Sequence, residues 1–195
     1  SQSVGKLSEQ GQRVKQITAK LLCLCGQVHG GGAPSPAIHG GTVELPALLT
    51  GLLEERAARM ESLGVSPLPA LDPSLPPLSL PGLNLPADPD GLLQMVDNIL
   101  DNALDAMPGG GQLYLVAGID AEAVLVEVED TGLGIAPENL PRVFEPFFST
   151  KDVGQGSGLG LSVAYGTVRA LGGDIAITSQ LGKGTRVVVT LPRRT

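Results

Sequence analysis

Tryptophan is absent from this sequence, and its 195 residues include only three phenylalanines and two tyrosines. Where aromatics are so scarce, any concentration of them stands out. Cysteine is nearly absent too. Cys23 and Cys25 are too few for a disulfide framework, which points to a reducing compartment. Their C-x-C spacing puts the thiols on different faces of a helix, which disfavours a metal site. Basic residues are outnumbered 13 to 20, for a net charge of −7. That balance argues against non-specific duplex DNA binding, which needs a basic face. An anionic ligand stays possible, because backbone amides bind phosphate without net charge. No apolar run approaches the ~20 residues that span a bilayer. The start lacks the basic-then-apolar layout of a signal peptide. A soluble, cytoplasmic protein is the expectation, with no nucleic-acid partner. With 42% apolar residues the chain can bury a core, and 27 Gly and 16 Pro make it rich in loops.

Residues 1–28 read as one helix with a narrow apolar seam. Leu7, Val14, Leu21 and Val28 repeat at heptad spacing, with Ile17 and Leu24 between them. The pattern has no start signal, so the sequence is expected to be cut from something longer. The run Gly30-Gly31-Gly32-Ala33-Pro34-Ser35-Pro36 breaks the helix, and residues 29–41 read as a linker. Residues 42–45 predict a short strand. Residues 47–63 predict one amphipathic helix, with Leu48, Leu52, Leu53 and Met60 against Glu54, Glu55, Arg56 and Arg59, ended by Gly64. Eight prolines in 65–89 confine any strand there to a short or edge position. Asp90 is the expected N-cap of a helix over 91–107, with Leu92, Val96, Ile99, Ala103 and Ala106 as its core stripe. Strands are predicted at 112–117, 123–129, 174–179 and 185–191. A short helix is predicted near Pro137, and a longer one after the glycine loop 154–160, ending near Leu171. Helices on one face of a mixed sheet, an α+β fold, is the expected architecture.

Several patterns carry possible chemistry. Asn98, Asn102 and Asp105 fall on one stripe of the strong helix. Their groups suit a hard cation and phosphate, or simply extend a solvated face with Asp97 and Asp101. The turn Asp130-Thr131-Gly132-Leu133-Gly134-Ile135 follows a buried strand. It could present a carboxylate to an exocyclic amine and backbone to a flat ligand, or be an ordinary loop. Gly154, Gly156, Gly158 and Gly160 alternate ahead of a helix, an arrangement that suits an anion or a flexible linker. It is neither a P-loop nor a dinucleotide-binding turn. All three phenylalanines lie in Phe144-Glu145-Pro146-Phe147-Phe148, and Lys151 follows, within reach of a terminal phosphate. Residues 149–157 hold two glycines and one aliphatic side chain, so they are expected to be the most mobile part of the domain.

In order stand NILDNALDAM (98–107), EDTGLGI (129–135), FEPFFSTK (144–151), GQGSGLGLS (154–162) and GKGT (182–185). This set resembles the N, G1, F, G2 and G3 boxes of the Bergerat-fold ATP-binding domain of bacterial sensor histidine kinases. The resemblance covers about residues 42–195 and implies a two-layer α/β sandwich that holds ATP·Mg²⁺ under a lid. It implies Asn102 as the Mg²⁺ ligand, Asn98 as its partner at phosphate or metal, and Asp130 as the residue for the adenine amino group. Gly132, Gly134 and Ile135 would shape the adenine pocket. Gly156, Ser157, Gly158, Leu159 and Gly160 would cradle phosphates. Phe144, Phe147 and Phe148 would anchor the lid base, with Lys151 and Thr185 as further nucleotide contacts. The lid, Ser149 to Gln155, is short, as in nitrogen-sensor kinases. SEQGQRVKQITAKLLCL resembles the second helix of the family's dimerisation and phosphotransfer hairpin. Implied partners are that hairpin, in a homodimer, and the receiver domain of a response regulator. Neither His29 nor His39 matches the phospho-acceptor motif, which the resemblance places on a first helix.

Other relatives with these boxes hydrolyse ATP or phosphorylate serine, and a nucleotide-binding pseudokinase is a further alternative. Hydrolases and serine kinases carry Glu one turn before the essential Asn, as a general base. Asn98 occupies that position here. A neutral imidazole already has a free lone pair near pH 7, so Asn98 favours transfer to histidine.

Overall fold

The structure, a computed structural model, describes residues 41–68, 84–87, 89–119, 123–151 and 156–192. The chain divides into two units, Ser1–Pro36 and Ala37–Thr195, and all described residues belong to the second. The helix expected over 1–28, most of the linker, both cysteines, His29 and His39 lie outside the described residues, as does 152–155 with Gly154.

The described elements run β1 (Gly41–Glu44), α1 (Leu45–Glu55), α2 (Ala57–Leu63), β2 (Val65–Leu68), β3 (Asn84–Ala87), α3 (Pro89–Asp105), β4 (Gly111–Ile119), β5 (Ala123–Asp130), α4 (Gly160–Ala170), β6 (Asp174–Gln180) and β7 (Gly184–Pro192). Five strands form a mixed sheet in the order β2-β4-β5-β7-β6, parallel only between β2 and β4. Pro67 is tolerated because β2 is an edge strand. β1 and β3 pair separately as an antiparallel ribbon.

Strict alternation along β5 turns Val124, Val126, Val128 and Asp130 to the covered face of the sheet. α3 and α4 supply the second layer. Leu92, Met95, Val96, Ile99, Leu100, Ala103 and Leu104 of α3 and Ala164 and Val168 of α4 share one core with those valines. Each fully buried Leu, Ile, Val or Met among them contributes about 1.5–3 kcal/mol.

Four local expectations are corrected. The helix over 47–63 is two helices, because the chain leaves helical geometry at Arg56 (φ −98°, ψ 0°) and its N–H bonds Leu53 O, three residues back. α3 begins at Pro89, so Asp90 lies in the first turn and is not the cap. There its charge still favours the helix dipole. α3 ends at Asp105 in a tighter turn, with Met107 N–H bonding Leu104 O. Ala106 is only half-buried, and Met107 takes the core position. Near Pro137 no helix forms, and a single 3-10 turn follows at Leu140–Arg142.

Candidate functional site

Asp130 ends β5 on its inward face, and the period of two that buries the valines buries its carboxylate as well. Oδ1 accepts the Gly132 N–H at 2.8 Å. Burial pushes the Asp130 carboxyl above the ordinary carboxylate range, against the backbone N–H groups of Gly132 and Thr185, with the neighbouring Glu129 charge adding to the rise. Asp130 and Thr185 are cross-strand partners in the β5–β7 register. That pairing brings the segments at 129–135 and 182–185 side by side.

The loop after Asp130 is clamped from both sides. Leu133 N–H donates to Ala106 O at 2.9 Å, satisfying a carbonyl just beyond the α3 C-terminus. Leu133 O accepts from Gly182 N–H at 2.7 Å. A Cβ on Gly132 would collide with Ala106 O, and one on Gly134 with Gln180 O. Ile135 N–H donates to Ser179 Oγ at 2.8 Å. The same hydroxyl reaches Gly184 O at 2.8 Å and Thr185 Oγ1 at 3.0 Å.

Asn98 and Asn102 lie on the α3 face toward α4. Asn98 is buried, and its Nδ2 donates to Gln94 O at 2.8 Å. Half-buried Asn102 repeats the pattern, with Nδ2 to Asn98 O at 2.8 Å. These back-bonds fix both carboxamides against the helix. Gly160 opens α4 directly above them. A Cβ there would stand 3.1 Å from Asn102 Nδ2 and 3.5 Å from Asn98 Oδ1. The sequence thus brings the start of a glycine-led helix, with its unsatisfied N–H groups, onto a pair of carboxamides.

Leu159 buries its side chain and offers the loop only its backbone. Ser157 Oγ accepts the Leu159 N–H at 3.3 Å. Gly158 (φ +63°) is pressed against Phe147, whose N–H donates to Gly158 O at 2.8 Å. The three phenylalanines separate. Phe144 stacks at 4.9 Å on Tyr165 of α4, and Phe148 lies under the Arg142 guanidinium at 4.4 Å. Phe147 is 64% exposed and holds a left-handed backbone (φ +66°). Lys151 Nζ pairs with Asp105 Oδ2 at 2.5 Å.

Residues 87–195 match the family described as histidine kinase-, DNA gyrase B- and HSP90-like ATPases. The chain belongs to this family. It is 45% identical over 115 residues to the sensor kinase CckA of Brucella abortus (strain 2308), covering 51% of this chain and 12% of that one. It is 40% identical over 108 residues to sporulation kinase E of Bacillus subtilis (strain 168), covering 55% and 14%. The chain therefore spans less than a sixth of the length of those two relatives. The crystal structure of full-length ShkA in complex with AMPPNP superposes with a TM-score of 0.73 at 29% identity, covering 94% of this chain and 36% of that one. The mixed five-stranded sheet with its helical layer is the α/β sandwich of histidine-kinase catalytic domains, and the similarity lies with the sensor-kinase branch of the ATPase family.

Two parts of this ATPase-family site carry no sequence signal. Ser179 ties Ile135 to Gly184 and Thr185, yet a serine in an exposed strand has no local signature. Arg56 and Arg59 bind the acidic edge of α3: Arg56 reaches Asp97 at 2.5 Å and Asp101 at 3.2 Å, and Arg59 reaches Asp101 at 3.0 Å and also Asp105. Among the described residues, no group of three His, Cys, Asp or Glu could hold a metal ion, and no helix is long and apolar enough to cross a membrane.

Proposed function

We propose that this domain binds Mg²⁺·ATP between the Asp130 loop and the α3–α4 contact and donates the γ-phosphoryl group to a histidine of a dimerisation hairpin. The observation that carries this reading is the seating of Gly160 on Asn98 and Asn102 of α3, with the loop after the buried Asp130 bonded to Ala106 just past the C-terminal end of the same helix. Asp130 accepts from the adenine amino group, and the tightly packed Gly132, Gly134 and Ile135 backbone gives the ring a flat wall. Thr185 borders that pocket. The loop amides of Gly156, Ser157, Gly158 and Gly160 face the phosphates, and Lys151 offsets their charge.

The donor set suits Mg²⁺ of a particular kind. With no metal-binding group of three carboxylates among the described residues, the ion would be carried by phosphate oxygens plus the carboxamide oxygen of Asn102, with Asn98 beside it. Mg²⁺ would neutralise charge on the transferring group. The residues of this chain orient the triphosphate and exclude competing geometries, so catalysis is positioning and electrostatics. The imidazole nitrogen attacks phosphorus with its own lone pair as the bond to the ADP oxygen breaks. No base is required, which fits Asn rather than Glu at position 98. The hairpin of the same kinase, in a homodimer, a response-regulator receiver domain and a cytoplasmic setting complete the proposal.

Asn98→Glu tests it. The new carboxylate would stand one turn from Asn102, in position to polarise water or to repel the triphosphate. Transfer to an added hairpin should fall in either case. Phosphate release should rise, by ~10²-fold at most, only if a water fits. Undiminished transfer by the variant would restore the serine-kinase and hydrolase readings.

A further inference from the structure

Lys151 is part of a three-residue charge relay. Asp105 divides its carboxylate between two cations: Oδ2 takes Lys151 Nζ at 2.5 Å, and Oδ1 takes Arg59 Nη2. Arg59 is itself steadied by Asp101 at 3.0 Å. Asp105 is the last residue of α3 and continues the Asn98–Asn102 stripe. A carboxylate in the last turn opposes the helix dipole, so it adds nothing to α3 by itself. On the other side, the Lys151 stem lies against the phosphate loop, since a Cβ on Gly156 would stand 3.3 Å from Lys151 Cδ. The ammonium is therefore tethered to α3 beside the carboxamides, at the mouth of the loop.

We propose that Asp105, with its charge offset by Arg59, is a positioning residue that aims the Lys151 ammonium at the terminal phosphate of the bound nucleotide. An ammonium has three N–H donors, and Asp105 occupies one, leaving two for phosphate oxygens. Arg56, Arg59 and Lys151 balance Asp97, Asp101 and Asp105 charge for charge, so the Asp105 carboxylate that holds the ammonium does not present a net negative cluster to the triphosphate. Arg59 thereby acts on the site from α2 without touching the ligand. This inference rests on the nucleotide reading above.

The test is calorimetry of Mg²⁺·AMPPNP and Mg²⁺·ADP binding to the wild-type chain, Asp105→Asn, Lys151→Ala and the double variant. Asp105→Asn should weaken AMPPNP about five- to tenfold and ADP less than about twofold, and it should have no further effect once Lys151 is alanine. Arg59→Gln should follow Asp105→Asn, and Asp105→Glu should recover part of the loss. Asp105 is one-third exposed and its neutralisation suits the helix end, so folding should persist, with Arg59→Gln as the independent route to the same reading. Tighter AMPPNP binding by Asp105→Asn would overturn the inference. So would equal losses for both nucleotides, or losses that add to those of Lys151→Ala. If the wild-type chain binds neither nucleotide, the reading of the site falls as well. If it binds both and the cycle is additive, the positioning role alone falls.

Discussion

At the Asp130 end of the site the backbone does the holding, whereas at the Asn98–Lys151 end side chains do. Around Asp130, main-chain atoms of 106, 132, 134, 180 and 184 pack so closely that a methyl group has no room, and the Asp130 residue is 5% exposed. Around Lys151, ion pairs between partly exposed groups span three segments, and their geometry depends on long side chains. A pocket for a flat ring needs fixed walls, and a site for a triphosphate that arrives and leaves needs charge that can be shared. The contrast predicts that substitutions at the first end damage folding or recognition, and those at the second alter nucleotide preference at small cost in stability.

The largest effect should come from Gly184→Ala. Gly184 has φ +116°, and its Cβ would run into Asp130 O, so a loss of about 3 kcal/mol or more is expected in urea unfolding. Gly182→Ala is the matched control. It has φ +74° and nothing within 4 Å of the added carbon, so it should lose only about 1–2 kcal/mol. Equal losses would show that backbone strain, not packing, dominates at this end.

Asp130→Asn should weaken Mg²⁺·ADP about tenfold, as a mispaired buried group costs ~1–3 kcal/mol. Its effect on folding should have the opposite sign. The Asp130 pKa is raised in the folded state by burial, so the carboxyl favours folding when protonated, and that contribution is lost as pH rises through the raised pKa. The empty Asn variant should therefore gain stability over wild type as pH rises toward neutral. Nucleotide affinity of the wild type should instead fall as pH drops through the same range. Unfolding midpoints and calorimetry across pH measure the two trends; the Asn variant's stability advantage and the wild-type affinity should both rise with pH, and a fall in either would contradict the assignment.

Ser179→Ala should cost about 1–2 kcal/mol in unfolding, because it strips the Ile135 N–H of its acceptor. Arg59→Gln, at the other end, should cost no more than about 0.5–1 kcal/mol, since its pairs are partly exposed. A larger loss there would erase the proposed difference between the two ends.

Much of the Asp130 end could be read from sequence, because its rules are local. Alternation through Val124, Val126 and Val128 carries on to position 130, and glycines mark where chains approach. The other end depends on contacts that local pattern does not encode. Asp97, Asp101 and Asp105 look like the wet side of a helix until Arg56 and Arg59, 41 to 46 residues earlier, are folded onto them. The apolar period of 47–63 runs straight through Arg56, so the break at that residue, where the chain makes those tertiary pairs, leaves no local trace. In the same way, five residues hold all three phenylalanines, but only the positions of Tyr165 and Arg142 decide which rings find partners.

Transfer itself is the most direct test. The chain, incubated with Mg²⁺ and γ-labelled ATP, should remain unlabelled, because neither His29 nor His39 lies in an acceptor motif. Addition of a dimerisation hairpin bearing its histidine should produce acid-labile label on the hairpin and little free phosphate. Rapid phosphate release with an unlabelled hairpin would contradict histidine-kinase chemistry.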